Sequence, residues 1–168
     1  MKIRNLTDNE ADELFSFIKD KQFVNHTADA VYQQTGPLRE GLTYWIQKHE
    51  VNGECARINV IDKNNSWFES FADRLKKELQ YSSIGRVYVH KLLPNTKIFK
   101  HADRYPYHFL IDRYQIFLKI PENCEIECAQ SNEITSNCIF KLNHLESHSY
   151  NNTSLENFYI FILDFYHE

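Results

Sequence analysis

The segment NTKIFKHADRYPYHFLIDRYQIFLKI, residues 95–120, gathers ionisable side chains between two apolar runs. Among them are two imidazoles, two carboxylates and a guanidinium: His101, His108, Asp103, Asp112 and Arg113. The second run alternates apolar and polar residues from position 113 onward, as a β-strand does. The polar part is therefore either an ordinary loop or one side of a metal site.

Strand-like runs occupy the whole C-terminal half. Five of them follow residue 80, rich in β-branched and aromatic residues and separated by turn-prone segments: GRVYVHKLL, RYQIFLKI, CEIECA, NCIFKL and FYIFILDF. This texture predicts an antiparallel sandwich or small barrel. A length of 168 residues suits one domain. We expect helices and outer strands over residues 1–80 to flank a β core over residues 81–168.

Two amphipathic helices are predicted in the N-terminal half. Thr7 with Glu10, and Ser66 with Glu69, have the spacing of a capping box. Apolar residues then recur on one helical face, which we expect to face the core: Ala11, Leu14, Phe15 and Ile18 in the first helix, and Phe68, Phe71, Leu75 and Leu79 in the second.

Composition excludes several classes of partner. The formal charge is −4 without a basic block, which argues against nucleic acid or an anionic membrane as the main partner. No apolar run approaches the ~20 residues of a membrane helix, and the N-terminus lacks the apolar centre of a signal peptide. A cytoplasmic protein is predicted, whose four cysteines stay reduced.

Period-two alternation assigns polar residues to one face of two strands. One row consists of Arg86, Tyr88, His90 and Leu92, and the other of Arg113, Gln115, Phe117 and Lys119. Such rows either line a ligand cavity or face water, as in many antiparallel sheets.

His101-x-Asp103 is the candidate for a metal site. Alternate residues of an extended chain point the same way, so both side chains can reach one ion. His148 is the leading third ligand and His144 a rival. Two imidazoles and one carboxylate leave open metal positions, which suits Fe(II) oxygen chemistry. Spacing alone also allows a turn-capping His101, an Asp103 bound to loop amides and a surface His148.

These elements, in this order, resemble the aspartyl/asparaginyl β-hydroxylase family. The resemblance covers residues 84–165: a Pro94-Asn95 turn, His101-Ala102-Asp103, the Arg113-Tyr114-Gln115 strand, the His148-Ser149 segment and a last strand ending at Asp164. It implies a mainly β fold with flanking helices and a double-stranded β-helix core, the cupin-like jelly roll. It also implies Fe(II)- and 2-oxoglutarate-dependent hydroxylation of an aspartyl, asparaginyl or related side chain, free or in a peptide.

The same resemblance implies roles for individual residues. Iron would be bound by the catalytic residues His101, Asp103 and His148. The family's arginine for the distal carboxylate of 2-oxoglutarate is replaced by Phe158. Either another residue binds that carboxylate, or the protein binds metal with a different small acid, or it has lost catalysis and kept the fold. Arg113 is the first candidate, followed by inward-facing groups of the same strand and its neighbour: Gln115, Tyr88, His90 and Arg86. Ser149 or Asn151 would support His148.

Two alternatives stay open. The segment 104–112 is either a substrate lid or an aromatic hairpin packed on the surface. The whole chain is either an oxygenase or a cupin-like jelly-roll module that binds a small acid or sugar without redox chemistry. Phe158 favours the binding module, and an intact His101–Asp103–His148 set favours the oxygenase. The sequence fixes neither the substrate nor the oligomeric state.

Overall fold

The computed structural model describes residues 1–19, 24–25, 42–47, 66–104 and 106–167. Within these ranges the chain forms two α-helices, ten strands and two short 3₁₀ helices. The α-helices are α1 (Asp8–Lys19) and α2 (Ser66–Glu78). The strands are β1 (Lys2–Asn5), β2 (Val24–Asn25), β3 (Leu42–Gln47), β4 (Ile84–Leu92), β5 (Thr96–His101), β6 (Ile111–Leu118), β7 (Cys124–Glu127), β8 (Cys138–Leu142), β9 (His148–Asn152) and β10 (Phe158–Tyr166). The 3₁₀ helices are Pro106–Leu110 and Ser131–Glu133.

The strands form two antiparallel sheets. The larger has the order β1-β8-β6-β10-β4-β3-β2, and the smaller the order β5-β9-β7. Side chains of both sheets meet between them, for example Phe117 and Tyr150, whose ring centroids are 6.3 Å apart. This arrangement confirms the predicted mainly β fold with a double-stranded β-helix core.

The central strands of the larger sheet are buried on both faces, and each face has its own apolar cluster. The outer cluster joins the sheet to the helices through Leu14 and Phe71, among others. The inner cluster lies between the sheets: Leu92, Ile98, Phe117, Cys138, Phe140, Leu142, Tyr150, Phe158, Ile160 and Ile162. Strand alternation sends Ile116 outward and Phe117 inward.

The predicted capping box at the start of α1 is confirmed. The Glu10 amide donates to Thr7 Oγ1 at 3.2 Å, and the Thr7 amide donates to a Glu10 carboxylate oxygen at 3.0 Å. Arg4 of β1 also binds Glu10 and reaches Glu78 of α2, so one guanidinium ties the sheet edge to both helices. The hydrogen bond from the Arg4 guanidinium lowers the pKa of the Glu10 carboxyl.

The core face of α1 differs from the prediction at one residue. Phe15 is 41% exposed and packs edge-on against Tyr159, whereas Phe17 is buried with Leu14 and Ile18. The positions i, i+3 and i+4 define the buried stripe, and Phe15 lies about 100° around the helix from Leu14. α2 begins at Ser66 as predicted and buries Phe71 and Leu75. The side chains of residues 66–69, including the predicted cap and Phe68, lie outside the described part.

Among the described residues, neither α-helix is long and apolar enough to cross a membrane.

Candidate metal centre

His101 and His148 are direct cross-strand partners at one end of the smaller sheet. Asn95, in the left-handed conformation at φ 57°, turns β4 back into β5, which ends at His101. The two imidazole centroids are 4.4 Å apart. The chain leaves β5 after His101 and places Asp103 beside the pair.

The three side chains converge. Nε2 of His101 lies 3.8 Å from Oδ1 of Asp103, and Nε2 of His148 lies 3.9 Å from Oδ2. One ligand atom from each residue lies within 4.8 Å of the other two. Since such atoms bind divalent metals at about 2.0–2.2 Å, one ion fits among them with a small adjustment of side chains.

Backbone carbonyl groups impose the same tautomer, protonated at Nδ1, on both histidines. Nδ1 of His101 donates to the Phe99 carbonyl oxygen at 2.7 Å, and Nδ1 of His148 donates to that of Glu146 at 2.9 Å. Nε2 of each ring is therefore left as the lone-pair atom facing Asp103. Burial, followed by the nearby His101, lowers the pKa of His148 to about 4, so its ring is neutral at pH 7.

Arg113 is bound to two buried carboxylates. Its Nε and Nη2 donate to Oδ1 and Oδ2 of Asp164 at 2.8 and 2.9 Å, and its Nη1 donates to Oδ2 of Asp103. Asp164 is fully buried, and Arg113 and Asp103 are 4% and 6% exposed. Arg113 thus holds the candidate metal-binding carboxylate in place, and the clamp role expected for it stays a prediction.

The segment after Asp103 turns inward around this network. Tyr107, in the first 3₁₀ helix, donates its hydroxyl to Asp164 Oδ2 at 3.0 Å. Gly85 of β4 makes room for it, because a Cβ there would lie 2.6 Å from the Tyr107 hydroxyl. Tyr107 and His108 are buried, while Phe109 and Leu110 are exposed. Both interpretations of residues 104–112, substrate lid and aromatic hairpin, stay predictions.

The rival ligand His144 lies elsewhere. Its Nε2 donates to the His108 carbonyl oxygen at 2.8 Å, and its own carbonyl accepts from the Asp103 amide at 2.9 Å. Burial, followed by the charge of Arg113, lowers the pKa of the His144 ring. His144 therefore fixes the backbone of Asp103 and is not part of the three-residue cluster.

The expected support of His148 by Ser149 or Asn151 is wrong. The β9 side chains alternate, so those two face away from the interior and bind Glu127 and Glu125 of β7. The Glu146 carbonyl supports His148 instead.

Two of the other predicted cofactor-binding residues, Gln115 and His90, are buried. Gln115 is buried, and its Oε1 accepts from the Tyr150 hydroxyl at 2.8 Å. This is the one hydrogen bond described for the Gln115 side chain. His90 is buried and is paired across the strands with Ile160. Tyr88 and Arg86 lie on β4, but their side chains fall outside the described part.

An aromatic cluster closes the interior beyond Gln115. Phe158, where an arginine was expected, is fully buried and stacks on Phe117, with ring centroids 6.2 Å apart. Phe117 also contacts Phe140 and Tyr150, at 6.3 Å each. Tyr150 in turn lies 6.0 Å from the His148 ring. These aromatic side chains, together with Leu92 and Ile160, are named the aromatic floor below.

The family profile of the Aspartyl/Asparaginyl beta-hydroxylase matches residues 60–168. The chain belongs to this family. A comparison with curated proteins finds no match. The fold is similar to that of solved prolyl hydroxylases.

Two solved structures illustrate the likeness. A prolyl-4-hydroxylase of Pseudomonas putida matches with a TM-score of 0.54 and 10% identity, over 100% of this chain and 92% of that one. A viral collagen prolyl hydroxylase from Paramecium Bursaria Chlorella virus-1, solved as a 2OG complex, matches with a TM-score of 0.53 and 16% identity, over 98% and 94% of the two chains. At these identities the likeness concerns the fold.

Sequence reasoning missed the buried support for Asp103. Tyr107 and Gly85 gave no local signal, because their role depends on Asp164, which is distant along the chain. Asp164 itself was detectable as a carboxylate within the apolar run FYIFILDF, since a buried charge requires a partner.

Proposed function

We propose that the protein is an Fe(II)-dependent oxygenase that uses O₂ and a 2-oxo acid to hydroxylate a carbon atom of its substrate. The observation that supports this most is the convergence of His101, Asp103 and His148 inside the jelly roll of a hydroxylase family. The donor set suits Fe(II), because two neutral imidazoles and one carboxylate leave coordination positions open.

The reaction balances with these components alone. Iron held by His101, Asp103 and His148 would allow O₂ to accept two electrons from the 2-oxo acid and two from a C–H bond of the substrate. One oxygen atom enters a C–H bond of the substrate, and the other enters the carboxylic acid that remains after CO₂ leaves the 2-oxo acid.

The chain's own residues supply geometry and charge. The carbonyl oxygens of Phe99 and Glu146 hold the two imidazoles with Nε2 toward the ion. Arg113 and the His144 carbonyl hold Asp103 from its carboxylate and its amide. The aromatic floor keeps water out from below, which protects a reactive centre from side reactions.

The family's co-substrate, 2-oxoglutarate, fits the described residues only in part. Its 2-oxo acid end matches an open metal position with the Gln115 amide nearby. Its distal carboxylate finds no cation at Phe158. Burying a carboxylate without a partner is strongly unfavourable, so no step is assigned to that end of the molecule.

For the substrate, we propose an aspartyl, asparaginyl or related amino-acid side chain, free or in a peptide, in a cytoplasmic setting. The family description supports this class. The specificity residues would lie on the loops around the open end of the jelly roll, where Phe109 and Leu110 expose apolar surface.

A second candidate function is a cupin-like module that binds a small acid or sugar at the same metal. The aromatic floor favours it, because the described side chains around Phe158 include no arginine or lysine for the distal carboxylate of a diacid co-substrate.

The test is metal binding by single-ligand variants. His101→Ala and His148→Ala should each weaken anaerobic Fe(II) binding at least ~100-fold, since each removes one of three ligands. His167→Ala is the matched control, because that half-exposed ring contacts Asp112 outside the cluster. Calorimetric titration with Fe(II), and with Co(II) as a spectroscopic substitute, measures the affinities. If either ligand variant binds Fe(II) as tightly as His167→Ala, the site is wrong.

A further inference from the structure

Behind the candidate metal centre, the inward-facing side chains change from polar to apolar within two residues along each strand. On β6, inward-facing Arg113 and Gln115 are followed by Phe117, and on β10 inward-facing Asp164 is preceded by Ile162, Ile160 and Phe158. Polar groups therefore lie at the level of the metal ligands, and apolar groups lie below them. A ligand that binds the ion and extends inward would have its head among polar groups and its tail against the aromatic floor.

Among the described side chains, the aromatic floor contains no arginine or lysine that could pair with an anionic tail. Among the described residues, Arg113 is the one arginine or lysine that is buried, and it already binds two carboxylates at the metal level. Asn152 also faces inward, but its amide nitrogen donates to three backbone carbonyls and its Oδ1 accepts from Ser154.

The polar head, in contrast, has a donor available. Gln115 is 1% exposed, and the Tyr150 hydroxyl fixes its Oε1. This hydrogen bond orients the amide, and it is the one hydrogen bond described for the Gln115 side chain. A carboxylate bound at the metal is an acceptor of the right charge for that N–H group.

We propose that the co-substrate of this protein is a 2-oxo monocarboxylic acid with an uncharged, apolar tail, and that Phe158 sets this specificity against 2-oxo diacids. The proposal rests on the oxygenase function proposed above. The α-carboxylate and the oxo group stay at the polar level near Gln115, and the tail lies against Phe158 and Phe117. A distal carboxylate is rejected because it would lose its hydration without gaining a cation.

His90 is the residue through which a diacid would otherwise be accepted. It is buried, and the register places it level with Ile160 and Phe117, at the floor. A protonated imidazole there would offer a positive charge to a distal carboxylate. The experiment therefore includes a variant of this residue.

The test compares 2-oxo acids on the full-length protein loaded with Fe(II) under anaerobic conditions. The probes are 2-oxobutanoate and 2-oxo-4-methylpentanoate as monoacids, and 2-oxoglutarate as the diacid. Chelation is followed by the visible metal-to-ligand charge-transfer band, and affinity is measured independently by calorimetry on the Co(II)-loaded protein. We expect at least one monoacid to bind ten-fold or more tightly than 2-oxoglutarate.

Variants of Phe158 and His90 assign the preference to residues. Phe158→Arg should raise the affinity for 2-oxoglutarate at least ten-fold, and Phe158→Leu, which keeps the floor apolar, should retain the preference for monoacids. His90→Leu should leave the wild-type preference unchanged. The wild-type comparison needs no variant, so it decides the matter even if Phe158→Arg does not fold.

The outcomes separate the two proposals. If wild-type protein binds 2-oxoglutarate as tightly as the monoacids or more tightly, the specificity proposal is overturned and the oxygenase proposal stands. A loss of that binding in His90→Leu would then identify His90 as the anchor. If Fe(II) binds but neither acid class gives a charge-transfer band or a calorimetric signal, the oxygenase proposal itself fails and the specificity proposal falls with it.

Discussion

Arg113 neutralises charge where two carboxylates would otherwise be buried together. Asp103 and Asp164 share its guanidinium, and the three groups are at most 6% exposed. Removing one partner of a buried ion pair leaves an uncompensated charge, which typically costs about 3–5 kcal/mol. We therefore expect Arg113→Met to lower the free energy of unfolding of the metal-free protein by about this amount, as measured by urea denaturation.

The matched control is Arg104→Met, an exposed arginine with one described hydrogen bond, to the Leu145 carbonyl at 3.3 Å. It should change stability by less than about 1 kcal/mol. Saturating divalent metal should reduce the loss in Arg113→Met, because the ion supplies a positive charge to Asp103. An Arg113→Met protein as stable as the control would contradict the charge-neutralising role.

At the level of single residues, the sequence predicted ligands better than their supports. His101-x-Asp103 is a local pattern, and the register of β5 and β9 makes His148 its partner. The bonds of Arg113 were not predictable, because Asp164 lies 51 residues away and period two gives only a face. Without that partner, Arg113 looked available for a ligand.

The hydroxyl group of Tyr107 joins the first 3₁₀ helix, Pro106–Leu110, to the larger sheet. Tyr107 reaches Asp164 across Gly85, and a Cβ at position 85 would lie 2.6 Å from that hydroxyl and 3.2 Å from the Asp164 carbonyl oxygen. Gly85→Ala should displace Tyr107 and lower stability by about 1–3 kcal/mol, through a lost buried hydrogen bond and a steric clash. Thermal and urea unfolding measure the change.

Tyr107→Phe serves as the control for this contact, since it removes the same hydrogen bond without adding an atom. It should cost about 1–2 kcal/mol. In the double variant, Gly85→Ala should add less than it does alone, because the clashing oxygen is gone. Full additivity of the two changes would show that Gly85 and Tyr107 act independently.

Helix starts and turns were predictable where residues close in the sequence determine them. The Thr7–Glu10 capping box placed the start of α1, and turn chemistry allowed Asn95 its positive φ. The burial of Phe17 in place of Phe15 depends on how α1 rotates against the sheet. The inward turn of residues 106–110 likewise depends on a distant partner, and both features are properties of the tertiary packing rather than of the local pattern.

At the scale of the whole molecule, the two apolar clusters share the same strands. β4, β6 and β10 contribute alternate side chains to the outer cluster with α1 and α2 and to the inner cluster between the sheets. A change in either cluster therefore alters strands that support both. The expected division into a flanking segment, residues 1–80, and a core segment, residues 81–168, is a division along the chain. We predict that the described parts of both segments unfold as one unit.

Leu14→Ala in the outer cluster and Phe140→Ala in the inner cluster test this unity. Both side chains are fully buried, so we expect losses of about 2–5 kcal/mol for Leu14→Ala and about 3–5 kcal/mol for Phe140→Ala. Phe15→Ala, at a 41% exposed position, should cost much less. Each variant should keep one urea transition, with the same midpoint by far-UV circular dichroism and by near-UV aromatic signal, because shared strands couple the clusters.

Divalent metal should raise that midpoint in all three variants, since it binds the folded state alone. Two separated transitions in Leu14→Ala, with the metal shifting only the later one, would mean that the helices unfold independently of the jelly roll.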